Sequence, residues 1–154
     1  MTPMQLALLE ARAAALRGEV PVGAVLTDAS GAVIAAAGNR VEALADPTAH
    51  AEMLVLRAAR ERLGGKFLPG CTLTVTLEPC PLCAAALALF RIERVVFGAY
   101  DPKSGGIEHG PRIFQHPTCH HRPEVIGGVE ERASMALLRE FFAERRDPAN
   151  SAER

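Results

Sequence analysis

The stretch Thr72-Leu73-Thr74-Val75-Thr76-Leu77-Glu78-Pro79-Cys80-Pro81-Leu82-Cys83, with its continuation to Phe90 and then Arg94-Val95-Val96-Phe97-Gly98, decides the fold. Thr72 to Leu77 alternates β-branched residues and leucine in the manner of a buried strand. Pro81 suits the first position of a helix, which the alanine- and leucine-rich run carries to about Phe90. Arg94 to Gly98 is again a strand. A strand, a helix and a strand over so short a span predict a parallel pair joined by a right-handed crossover.

Upstream, a helix is expected from Thr48 to the stop at Gly64-Gly65, preceded by a loop through Asn39 and Arg40 to Pro47. Val22–Thr27 and Ala32–Ala37 form a hairpin around Asp28-Ala29-Ser30-Gly31. The chain opens with Thr2-Pro3-Met4-Gln5, a capping box with proline at the first helical position. Leu6, Leu9, Ala13 and Leu16 supply the apolar stripe of that helix, and Gly18 ends it. Downstream, 101–123 reads as a Gly-, Pro- and His-rich loop with a short helix around Arg112 to Gln115. A strand near Val125 and a helix from Glu130 to Arg145 follow, with Met135, Leu138 and Phe142 on one face. The whole predicts an α/β domain over residues 1–146, with helices on both faces of a mixed sheet, and a polar, frayed tail over 147–154.

Composition is consistent with one domain able to bury a core without staples: 154 residues, 49% hydrophobic, 5% aromatic and no tryptophan. The net charge of −1 carries no global field for a polyanion. Lys66 and Lys103 are the only lysines, so the positive charge is nearly all arginine, the better reader of phosphates and bases. No secretory leader and no bilayer-length apolar run is present, which suggests a cytoplasmic protein with no membrane partner. Of the four cysteines, Cys71 and Cys119 belong to no motif and are expected to be small hydrophobes, buried or half-buried.

Cys80 and Cys83 stand at i and i+3 around a helix start and project to one side. The helix N-terminus favours their thiolate form. His50, in Asp46-Pro47-Thr48-Ala49-His50-Ala51-Glu52, completes three ligands whose charge balances Zn²⁺ and leaves the fourth tetrahedral position to water. A structural zinc site closes with a fourth protein ligand, and none lies within a few residues of these three. Glu52, two residues beyond His50, is not needed as a ligand and is placed to shuttle protons. It would take one from water, give one to the ring nitrogen beside the attacked carbon, and help expel ammonia.

With those motifs placed, the chain resembles the TadA family of bacterial tRNA adenosine deaminases over residues 4 to about 146. The likeness runs through Val20-Pro21-Val22-Gly23-Ala24-Val25, Gly38-Asn39-Arg40, Asp46 to Glu52, Val75 to Cys80, Arg94 to Ala99 and the Phe141-Phe142-x-x-Arg145-Arg146 ending. The zinc motif alone is shared with cytidine and guanine deaminases; the flanking segments point to tRNA. The resemblance implies a three-layer α/β/α, cytidine-deaminase-like fold with a five-stranded mixed sheet, one zinc per subunit and a homodimer. It implies hydrolysis of a wobble adenosine to inosine in a tRNA anticodon stem-loop, chiefly of an arginine tRNA. By position, Asn39 is implied to hold the purine edge and Val20 and Leu77 to line the base pocket. Asp101 and Lys103 would meet the nucleotide backbone, with Phe142, Arg145 and Arg146 near the anticodon loop. Leu89-Phe90, Glu108-His109-Gly110-Pro111 and Cys119-His120-His121 depart from the familiar pattern.

Three other readings stay open on residues alone. They are a deaminase of free guanine or cytidine, a zinc-stabilised binding module without catalysis, and a thiol redox protein using Cys80 and Cys83.

Overall fold

The computed structural model describes residues 1–145; Arg146 and the tail 147–154 lie outside the described residues. The elements are α1 (Pro3–Leu16), β1 (Gly23–Thr27), β2 (Val33–Gly38), α2 (Val41–Leu44), α3 (Ala51–Leu63), β3 (Thr72–Leu77), α4 (Pro81–Leu89), β4 (Arg94–Ala99), a single 3₁₀ turn (Ile113–Gln115), β5 (Glu124–Ile126) and α5 (Glu131–Arg145). The sheet order is β2-β1-β3-β4-β5. β1 runs antiparallel to both β2 and β3, whereas β3, β4 and β5 are parallel. The β3–α4–β4 unit is thus the parallel crossover expected from the sequence, and the mixed sheet carries helices on both faces.

Strand alternation sorts the core into two layers. Ala24, Leu26, Leu73, Val75, Val95 and Phe97 pack with α3 and α4 in the main cluster. Val25 and Val96 face the other way, onto α1 and Leu137 of α5. The α3 side, with Val55, Leu56 and Ala59 fully buried, is the thicker layer.

The capping box of α1 forms as expected: Gln5 N donates to Thr2 Oγ1 (3.1 Å) and Thr2 N to Gln5 Oε1 (2.8 Å). Its buried stripe is not the expected one. Leu9 and Leu16 are 45% and 91% exposed, and Met4, Ala7, Leu8, Ala11 and Ala14 face the sheet. The cause is close approach. A Cβ on Gly23 would lie 2.6 Å from Ala11 N, and one on Gly38 would lie 2.7 Å from Glu10 O. These two glycines are cross-strand partners, so the helix lies too near the sheet at Ala7, Ala11 and Ala14 to admit larger side chains there.

Other boundaries moved for local reasons. The helix expected from Thr48 starts at Ala51, because Asp46 Oδ1 accepts from both Thr48 N (2.8 Å) and Thr48 Oγ1 (2.7 Å) and holds a turn there. On α5 the inward face is Ser134, Leu137 and Phe141, one residue out of step with the expected Met135, Leu138 and Phe142. The loop expected after Arg40 contains α2, whose first amides are capped from a distance. Glu42 N and Ala43 N donate to the Glu19 carboxylate at 2.9 and 2.8 Å.

Candidate active site

His50 and Cys80 are the N-cap residues of α3 and α4, yet neither side chain caps its helix. Asn39 does this for α3, its Oδ1 accepting from Ala51 N at 2.8 Å. That long-range cap leaves the imidazole free to turn toward the cysteines. His50 Nδ1 lies 3.5 Å from both Cys80 Sγ and Cys83 Sγ. Zinc bonds of about 2.3 Å to sulfur and 2.0–2.1 Å to nitrogen place tetrahedral N and S ligand atoms roughly 3.5 Å apart. The three residues therefore fit a zinc ion as they stand, and they are the one such group of metal-binding side chains among the described residues.

Electrostatics favour a cation at this point. Hydrogen bonding from Cys83 and His50 lowers the Cys80 thiol to about 4, against the opposing cost of burial. Cys83 is raised by its hydrogen bond to Cys80 and by burial, and the hydrogen bond with Cys80 raises His50. Both sulfurs bind a metal as thiolates, so metal binding here releases protons.

Glu52 stands in the first turn of α3, only 4% exposed, and has no role in the ligand set. Burial pushes its carboxyl up to about 7, where it can both accept and return a proton near neutral pH. A dication beside it acts in the opposite sense and favours the carboxylate.

These groups open into a cavity of about 630 Å³, lined by His50, Glu52 and Cys80 together with Val20, Asn39, Leu77, Asp101, Phe142 and Arg145. Every expected site residue within the described chain lines it except Cys83, buried behind Cys80, and Lys103, on the exposed turn alongside. Asp101 Oδ1 accepts from Lys103 N (3.2 Å) and Ser104 N (3.0 Å), so its carboxylate shapes that turn. Arg145 donates to Gly18 O at 3.2 Å and lies 3.3 Å over the Phe141 ring, tying the end of α5 to the end of α1. Arg146 falls outside the described residues.

Two carboxylates around the cavity carry roles that sequence reading did not assign. Glu19 caps α2, whose Val41 and Glu42 form part of the wall. Glu78 is ringed by donors from the 101–109 loop. The one local signal for Glu78 is the Gly105-Gly106 pair, the backbone suited to closing around an anion; Glu19 gave none.

Residues 2–99 match the model of the cytidine and deoxycytidylate deaminase zinc-binding region. The chain is 55% identical to the tRNA-specific adenosine deaminase of Agrobacterium fabrum, over 93% of each chain. It superposes with a TM-score of 0.87 and 54% identity on a solved structure from studies of A-to-I editing by tRNA:A34 deaminases at the wobble position of transfer RNA. That match covers 88% of this chain and 98% of the other. It is also similar to the guanine deaminase of Nitrosomonas europaea, with a TM-score of 0.74 and 28% identity over 92% of this chain and 83% of that one.

Proposed function

We propose a single hydrolytic reaction for this chain, which belongs to the cytidine and deoxycytidylate deaminase zinc-binding family and within it to the tRNA-specific adenosine deaminases. The wobble adenosine of a tRNA anticodon loop becomes inosine, and ammonia leaves. An arginine tRNA is the expected substrate. The observation that carries this reading is a three-ligand set with a buried carboxylate beside it that the metal does not need.

His50, Cys80 and Cys83 would hold the zinc, which when bound would act as a Lewis acid and lower the pKa of water toward neutrality. Glu52 takes one proton from the attacking water and delivers it to N1 of the adenine, then takes the second from the new C6 hydroxyl and passes it to the departing amine, which leaves as ammonia. Asn39 donates from Nδ2 to the purine edge. Val20 and Leu77 flank the base, and their apolar side chains exclude bulk water. Asp101 and its turn, with Lys103, meet the nucleotide backbone, and Phe142, Arg145 and Arg146 meet the anticodon loop. An anticodon loop already exposes its bases, so drawing one into the cavity costs little.

The domain spans residues 1–146 and works as a cytoplasmic homodimer. Leu89 is 74% exposed and opens onto an apolar groove with Phe67, Ala85 and Ala88, a surface of the kind a second copy covers. Among the described residues no helix is long and apolar enough to cross a membrane.

The test is inosine formation in an arginine-tRNA anticodon stem-loop by the zinc-loaded protein. Glu52→Ala is expected to lose roughly a hundred- to ten-thousand-fold in kcat while keeping its zinc. A fully active Glu52→Ala variant would refute the mechanism. Turnover of free guanine with an untouched stem-loop would move the chain toward the guanine deaminases it also resembles.

A further inference from the structure

Glu78 stands between the last residue of β3 and the ligand segment Pro79-Cys80, with its side chain wholly buried. Five donors converge on it. Oε1 accepts from Asp101 N (3.1 Å) and faces His109 Nδ1 at 2.8 Å. Oε2 accepts from Ile107 N (3.2 Å), Glu108 N (3.0 Å) and His109 N (3.1 Å). A buried carboxylate is tolerated only when its lone pairs are filled in this way.

The loop can close around Glu78 because it carries no side chains at the point of approach. A Cβ on Gly105 would lie 2.6 Å from Glu78 Cδ, and one on Gly106 would lie 2.6 Å from Pro81 N and 2.7 Å from the Cys80 carbonyl carbon. Gly106 N donates to Pro79 O at 2.8 Å, a further tie to the ligand segment. At its other end the loop supplies Asp101 and Ser104 to the cavity wall. His109 rests edge-on against Tyr100, with ring centroids 6.1 Å apart, and Tyr100 against Phe97 at 5.0 Å, so the closing imidazole is itself braced by the core.

We propose that Glu78 and His109 are a pair of positioning residues, the carboxylate anchoring the 101–109 loop to the segment that carries Cys80 and the imidazole locking that anchor. One buried group then sets both the nucleotide-facing wall of the cavity and the place of a metal ligand. Neither residue is in the metal-ligand set, and both act through backbone. The substrate assigned to the cavity rests on the reading above; the clamp itself does not depend on it.

Two substitutions at the partly exposed His109 separate positioning from folding. H109A removes the Nδ1 donor, whereas H109N returns an amide N–H to nearly the same place. In the zinc-loaded full chain, H109A is expected to speed hydrogen exchange at the 105–109 amides about tenfold and raise KM for the anticodon stem-loop about tenfold, as the loss of one charge-assisted hydrogen bond implies. The loss should fall more on KM than on kcat, and H109N should restore both. In cobalt-substituted protein, E78Q should shift the visible thiolate bands, and H109A should leave them in place. Wild-type exchange at 105–109 in H109A, or equal defects in H109A and H109N, would overturn the proposal. A wild-type protein inactive on the stem-loop would instead remove the substrate reading, with the exchange and cobalt comparisons still deciding the clamp.

Discussion

The Asn39 amide has one task in the scaffold and a donor to spare. Oδ1 accepts from Ala51 N and starts α3, and Nδ2 has no partner among the described residues in a side chain that lines the cavity. Asn39→Asp keeps the acceptor and removes the donor, so it separates scaffold from recognition. The expected result is a thermal midpoint within about 2 °C of wild type and a kcat/KM on the stem-loop lowered roughly ten- to a hundredfold, the cost of one buried donor. Full activity in this variant would remove Asn39 from base recognition. At this scale the metal-binding cluster was legible in the sequence: His50, Cys80 and Cys83 declare themselves because metal chemistry restricts both residue type and spacing. Glu19 stayed silent and Glu78 showed only through the Gly105-Gly106 pair, since apart from His109 Nδ1 their partners are backbone amides of residues far along the chain, and any residue type supplies an amide.

At the scale of elements, α1 shows how packing distance overrides hydrophobic pattern. Leu9 and Leu16 belong to a stripe that the sheet does not receive, because Gly23 and Gly38 bring the helix down onto Ala7, Ala11 and Ala14. Gly38→Ala places a methyl 3.0 Å from Ala14 Cβ as well as against the Glu10 carbonyl. A destabilisation of about 1–3 kcal/mol is expected, a fall in thermal midpoint of roughly 2–4 °C per kcal/mol for a domain of this size. Gly65→Ala is the control, with nothing nearer its Cβ than Phe67 O at 3.6 Å, and its midpoint should stay close to wild type. Equal midpoints for the two variants would mean that α1 moves freely over the sheet. The same shift of one residue in the buried face of α5 has no local signal, because Leu137 and Leu138 are equally apolar and only the position of the sheet selects between them. α2 was invisible for a related reason: four residues are too few to hold a helix without the distant Glu19 cap.

Across the whole molecule, the zinc ligands join the N-termini of α3 and α4 at one end of the sheet, where β1, β2 and β3 also deliver Val22, Asn39 and Leu77. A metal held there stabilises the fold by mass action, by about 4 kcal/mol when free zinc exceeds its dissociation constant a thousandfold. Chelation is therefore expected to lower the thermal midpoint by on the order of 10 °C and to leave Cys80 and Cys83 open to oxidation; an unchanged midpoint would show that the ligands are held in place by the fold alone. The sequence by itself determined the metal-ligand set and the order of the strands and of every helix but α2, because ligand spacing, capping residues and strand periodicity are local properties. Tertiary structure alone decided which face of α1 and α5 is buried, how α2 is capped, and how the 101–109 loop closes on Glu78. Those outcomes depend on distances between segments that are remote in the chain, and no local pattern encodes them.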